Sequence, residues 1–308
     1  MTTAYRNPFM NVKQSPLYPG YLWRLLLAAV CLAFTFSVSA GERFDHGLLW
    51  KIQPDNGAAS YLFGTMHSDD PQVVNLPAPV QQAFDGATGL VVEVELDEQA
   101  LMGMAGALLL SDGRSLEGLV GKALYQRTLK ALAAQGMPEF MIARLKPWAA
   151  AVSLMTPPPG EGVILDLALY QQALAGGKKV RGLETVDEQM GLFDSLSERE
   201  QLSMLRDTLN NLADIERQLD DVQAAYLERD LQRLLAISKE SMQGEDPLLA
   251  QRFMKKVIDD RNHRMAQRMQ AHLREGRYFI AVGALHLPGK EGLLNLLSER
   301  GYRVTRVY

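Results

Sequence analysis

Two segments far apart in the chain each place a histidine three residues after a glycine, at the end of an apolar run: SYLFGTMHSDD (60–70) and YFIAVGALHLPG (278–289). His67 and His286 thus follow two runs that read as buried strands, where an imidazole nitrogen can hold a metal ion or carry a proton. Carboxylates fall at comparable places. Glu93 and Glu95 lie two apart in LVVEVELD, on one side of a strand-like run, and Glu184 ends another, KKVRGLE. A carboxylate among valines and leucines needs a cation or a metal beside it. Open α/β sheets bind ligands outside the carboxyl ends of parallel strands, so parallel pairing would bring His67, His286 and Glu184 together. Two imidazoles with one or two carboxylates are a common ligand set for a divalent transition metal.

Each residue also has a plainer reading. A histidine after a strand can be a turn or core residue, Glu93 and Glu95 can face water, and Glu184 can favour the N-terminus of a helix starting near Val186. His46, His263 and His272 read as structural or solvent-facing. Phe253, Val257, Arg261, Met265 and Met269 recur at intervals of four, so Arg261 interrupts an apolar helical stripe, with Asn262 beside it. Such an arginine either pairs with a carboxylate or bound anion, or packs its stem while its head reaches water.

The elements that must position these residues are legible from their patterns. Strands are expected at 59–64, 89–96, 178–184 and 277–283, with an edge strand at 302–308. Helices are expected at 115–136, 138–155 and 162–177, and the chain from Thr185 to about Leu273 reads as almost wholly helical. Thr185-x-x-Glu188 and Ser197-x-x-Glu200 have capping-box spacing. TPPPGEG (156–162) must be a loop, QGEDP (243–247) breaks the helical run, and a last long helix is expected from Leu248 to about Leu273. The helices of 197–240 suggest a subdomain or lid. A single α/β domain over 41–308, with a helical insertion at about 186–275, is the simplest account.

Residues 1–40 differ from the rest of the 308. Arg6, Lys13 and Arg24 precede an apolar run of 14 residues (25–38) and a V-S-A end, the pattern of a secretory signal cleaved after Ala40. The expectation is therefore export, to the periplasm or the extracellular space, with no integral membrane segment after cleavage; the alternative is an uncleaved, signal-anchored membrane form. The single cysteine, Cys31, would leave with the signal. The formal charge of −4 becomes −7 once the three leader cations are removed, which argues against a nucleic-acid partner. No G-x-S-x-G elbow, P-loop, G-x-G-x-x-G or H-E-x-x-H occurs.

Six motifs, YLFGTMHSDD, LVVEVELD, LKPWAAAVSL, RGLETVDEQ, DDRNHRMAQRMQAHL and YFIAVGALHLPGKEGLLNLLSERGYRV, occur in the order seen in the TraB/GumN family. The chain resembles that family, which includes the Tiki-type metalloproteases, from about Leu48 to Val307. The resemblance implies a pseudo-symmetric α/β core of the erythromycin-esterase and ChaN-like kind. It also implies a divalent metal, manganese or cobalt with zinc as a further option, and a peptide or protein substrate. Carried over by motif, His67, His286 and Glu93 (or Glu95) match the metal site, and Glu184, Arg261 and Asn262 the remaining polar residues. The expected function is an exported metal-dependent hydrolase, a peptidase. In it one glutamate serves as ligand and the other as base, Arg261 meets oxyanion charge, and Asn262 orients a ligand. The rival is a non-catalytic binding protein that sequesters a peptide signal or a haem-like ligand on the same fold.

Overall fold

The computed structural model describes residues 44–156, 162–241 and 247–308. The leader with Cys31, most of TPPPGEG and most of QGEDP lie outside the described residues. Among the described residues no helix is long and apolar enough to cross a membrane.

The fold is α/β around a mixed six-stranded sheet. Its strands are β1 (Leu49–Gln53), β2 (Ser60–Thr65), β3 (Gly89–Val92), β4 (Lys179–Gly182), β5 (Tyr278–Gly283) and β6 (Arg303–Arg306), in the order β4-β3-β5-β2-β1-β6. β4, β3, β5 and β2 run parallel, and β1 pairs antiparallel with both β2 and β6. The near-continuous apolar runs of β2, β3 and β5 are explained by position, since helices cover a central parallel strand on both faces. β4 and β6 sit at the two edges and each buries a single residue, Val180 and Val304.

Several elements are shorter than their patterns suggest. β3 stops at Val92, so Glu93 and Glu95 lie beyond the strand rather than side by side within it. β4 stops at Gly182, two residues before Glu184. The helix expected at 138–155 is two, Glu139–Ile142 and Pro147–Met155, because Pro147 holds the preceding Lys146 in extended backbone. The pattern at 115–136 likewise divides at Gly121, where φ is +80°. β1 had no strand signal of its own. Its five residues, LWKIQ, are recruited between β2 and β6.

Two apolar cores result. The larger one buries both faces of the sheet, with Phe279 of β5 between Phe63 and Phe84. The second joins Leu116, Leu132, Trp148 and Leu154 to Leu205 and Leu209. It therefore draws on the β3-to-β4 connection as well as on Glu198–Asn210, so the helical layer is not contributed by 186–275 alone. The helices Leu212–Leu227 and Leu231–Ser241 instead send Ala225, Tyr226, Leu231 and Leu234 into the sheet core. Both capping boxes form, at Thr185 with Glu188 and at Ser197 with Glu200.

The last long helical stretch is a continuous run containing a π-helical turn. Pro247–Met254 leads into the π turn Lys255–Asp259 and then into Asp260–Glu275. A π turn rotates the residues that follow relative to an uninterrupted α-helix. After it, Arg261, Asn262, Met265 and Met269 are all buried, which carries two polar side chains into the protein beside β5.

Candidate active site

The carboxyl ends of β3, β5 and β2 form one edge, and the chemistry-bearing residues follow directly from it. Thr65 of β2 is in register with Gly283 of β5, so the segments carrying His67 and His286 leave the sheet side by side. Gly64 permits the approach of the second segment. A Cβ there would stand 2.8 Å from Leu287 Cδ1 and 3.0 Å from Ala284 Cα, inside the turn Ala284–His286. The glycine of the first G-x-x-H thus serves the histidine of the second.

Glu93, Glu184 and Arg261 form a buried ionic group. Arg261 Nη2 donates to Glu93 Oε2 at 2.5 Å and to Glu184 Oε2 at 2.7 Å, and Nε donates to Glu184 Oε2 at 2.9 Å. Nη1 donates to the Val257 carbonyl at 3.3 Å. Arg264, one helical turn on, supplies the second guanidinium, with Nε and Nη2 on Glu184 Oε1 at 3.1 and 2.5 Å. Gln189 Nε2 donates to Oε2 of both glutamates, at 3.1 and 3.2 Å. Two carboxylates against two guanidiniums leave the group formally neutral. That balance lets the Glu184 side chain sit at 0% exposure.

His286 is buried, and its orientation is set from behind. Its Nδ1 lies 2.7 Å from Asn262 Oδ1, while Asn262 Nδ2 donates to the Glu291 carbonyl at 2.8 Å. That second bond fixes the amide so that Oδ1 is the acceptor, and Nδ1 of the neutral ring therefore carries the proton. Nε2 then presents its lone pair to Glu93 Oε1 across 3.7 Å. Glu93 Oε1 already accepts from the Gly283 N–H at 2.7 Å. Burial, offset in part by Glu93, holds the imidazole down at about 4, so it is uncharged at neutral pH. Burial alone would raise the Glu93 carboxyl; the His286 and Arg261 charges and the Gly283 N–H outweigh it and hold the group at about 2. With His286 neutral at pH 7, Arg261 and Gly283 carry that stabilisation.

The other expected residues are placed differently. His67 has a side chain 73% exposed, with Nε2 at 3.6 Å from Asp166 Oδ2 rather than among the glutamates. Glu95 points to the sheet edge, where Oε1 accepts from the Gly182 N–H at 3.0 Å. Glu184 has both oxygens occupied by arginines, an anchor's environment rather than a base's. Arg261 likewise has acceptors on Nε, Nη1 and Nη2, which leaves it poorly placed to receive oxyanion charge. His46 is exposed, His263 pairs with Glu291, and His272 packs edge-on against Tyr278.

Sequence reasoning passed over Arg264, Gln189, Thr65 and Asp166. The signal for Arg264 was its i+3 spacing from Arg261 on the same helix face. Asp166 was a lone carboxylate within the apolar GVILDLALY.

A divalent ion is tested most directly by the His286–Glu93 pair. Two acceptors facing each other with no proton between them suit a cation. Donor atoms on one ion with legs of about 2.0–2.2 Å stand roughly 3.4 Å apart, close to the separation found. The pair fits as two donors. Among the described residues no group of three or more His, Cys, Asp or Glu side chains is arranged to hold a metal.

The fold and this edge define an α/β protein with a buried histidine–carboxylate pair at the mouth of a parallel sheet. The model of the TraB/PrgY/gumN family matches residues 48–306, and the chain belongs to that family. Among curated proteins it is similar to "Metalloprotease TIKI2" of Danio rerio, 26% identical over 84% of this chain and 60% of that protein. It is similar to "Metalloprotease TIKI2" of Xenopus tropicalis at 25% identity, over 84% and 59% respectively. An uncharacterised protein of Treponema pallidum (strain Nichols) is 22% identical over 82% of this chain and 80% of its own length. The chain thus spans about 60% of the length of the two TIKI2 proteins. No solved structure matches it significantly.

Proposed function

We propose that this chain is an exported metal-dependent hydrolase of the peptidase kind, with His286 and Glu93 as two protein donors and His67, which lies apart from them two residues past β2, turning in to complete the set. The observation that supports it is the unprotonated His286 Nε2 facing Glu93 Oε1 at 3.7 Å, held so by Asn262, Arg261 and Gly283. The similarity to proteins named metalloproteases supports the reaction class and a peptide or protein substrate. The leader-like residues 1–40 support export, and the pseudo-symmetric erythromycin-esterase and ChaN-like core belongs to the same proposal.

A divalent ion bound here would polarise a scissile carbonyl and make a water acidic near neutral pH. The chain's own residues do the rest. Asn262 keeps His286 in one tautomer with Nε2 outward. Arg261 holds one Glu93 oxygen and leaves the other facing Nε2. Glu184 and Arg264 hold Arg261, and Gln189 bridges the two glutamates. In this reading Glu184 is a support, and Glu93 is the ligand.

The test is cleavage of a peptide library by the full chain with manganese, cobalt or zinc. Cleavage is expected from the wild type and not from the His67→Ala/His286→Ala double variant. Equal cleavage by both refutes the proposal. A wild type that binds haem, with a Soret band, and shows no turnover with any of these metals favours the binding protein.

A further inference from the structure

Asp166 is a half-buried carboxylate at this edge that lies outside the ionic group. It opens the helix Leu165–Ala175, and its Oδ1 accepts from Thr65 Oγ1, the last residue of β2, at 2.6 Å. Its Oδ2 is sealed from solvent and is without a hydrogen-bond partner among the described residues. A buried acceptor left unmade costs about 1–3 kcal/mol, so an atom in this state calls for a donor. His67 Nε2 stands 3.6 Å away, just beyond hydrogen-bond reach. The imidazole is otherwise largely in solvent and has room to rotate toward it. The carboxylate, pinned by Thr65 at one oxygen, has no such freedom. The charge of Asp166 is felt nearby: burial foremost, and then Asp166, push the Tyr226 phenol up. That hydroxyl donates to the Gly64 carbonyl instead of to Asp166.

We infer that Asp166 is the positioning residue of His67: it accepts the Nε2–H and thereby turns Nδ1 outward as the ring atom His67 offers. The inference rests on the proposed function for what Nδ1 then holds, and on geometry alone for the arrangement itself. It makes the two histidines of the edge opposite in use. His286 is held through Nδ1 by Asn262 and offers Nε2, whereas His67 is held through Nε2 by Asp166 and offers Nδ1. In both, a fixed acceptor behind the ring selects the tautomer, the usual device for orienting a ligating imidazole.

The experiment is proton–nitrogen NMR on the full chain labelled with 15N-histidine, metal-free and at about pH 8, where an unperturbed imidazole is neutral. A solvent-exposed imidazole N–H exchanges too fast to be seen unless it is held. The wild type is expected to show two held ring N–H signals assignable by substitution, Nδ1–H of His286 and Nε2–H of His67. Asp166→Ala is expected to lose the His67 signal and keep that of His286, which reports that the fold is intact. Asp166→Asn, retaining an acceptor oxygen, is expected to recover it. A wild type without a held His67 Nε2–H overturns the inference, whatever the variants do, and so does an Asp166→Ala protein that keeps it. Titration with zinc separates this from the proposed function. A shift of His67 Nδ1 with Nε2–H retained supports both; a held Nε2–H with no histidine responding to zinc supports this inference and counts against the metal site.

Discussion

His286 Nε2 and Glu93 Oε1 face each other at 3.7 Å as two acceptors, each fixed from behind by a hydrogen bond that leaves it no proton to share. Glu93→Gln replaces one acceptor by an amide that can donate to Nε2. The expected outcome is a protein that still folds, less stably because Arg261 loses a charged partner, and whose affinity for manganese or zinc falls by more than roughly 100-fold, beyond what a supporting residue costs. Calorimetric titration of both proteins checks it.

Arg261 pairs with two carboxylates at once, and the Glu184 side chain is wholly buried. Arg261→Met therefore leaves buried charge uncompensated and is expected to destabilise the fold by about 3–5 kcal/mol. Adding Glu184→Gln returns part of that loss, because the uncompensated charge is removed. Urea unfolding of the single and double variants measures both effects. A single variant as stable as the wild type means the ionic group is not what holds this edge together.

Acid should weaken the metal-free protein in two stages. The folded-state value of His286 is about 4, below the ordinary 6.5, so the unfolded chain takes up the proton first. Its contribution is complete above about pH 6.5 and is lost as pH falls toward 4. Glu93, at about 2 against an ordinary 4.5, contributes fully above about 4.5 and loses that as pH falls toward 2. Stability should thus start falling near pH 6.5, at up to about 1.4 kcal/mol per pH unit for each group. The upper stage should vanish in His286→Gln. Urea midpoints across pH 7 to 3 show whether it does.

Gly64 lies in a strand, yet its replacement should be felt at His286. A methyl there meets Leu287 and Ala284 at 2.8–3.1 Å, so Gly64→Ala should cost about 1–3 kcal/mol and move the turn bearing His286. The expected readout is a lower unfolding midpoint together with loss of the held His286 Nδ1–H in NMR.

Much of this was visible in the sequence where burial acts on composition. The apolar runs that became β2, β3 and β5, the two capping boxes, and Arg261 within its stripe all report local constraints. What escaped notice depends on pairing across the chain. LWKIQ becomes a strand only because β2 and β6 flank it, and the single helix expected at 138–155 ran through Pro147, which starts a new one. At the site, the sequence placed Glu184 beside the histidines as ligand or base. It had no means of showing that Arg261 and Arg264 occupy both of its oxygens. The spacing of the two G-x-x-H motifs suggested like histidines, while the structure sets one in the interior against Asn262 and the other outside against Asp166.

The central claim, a divalent ion on the His286–Glu93 pair, is tested most directly by titrating manganese and zinc into the metal-free full chain and its His286→Ala variant by calorimetry. The account predicts one ion per chain in the wild type and none at that affinity in the variant. Equal binding by the two proteins, or no binding by the wild type, would contradict it.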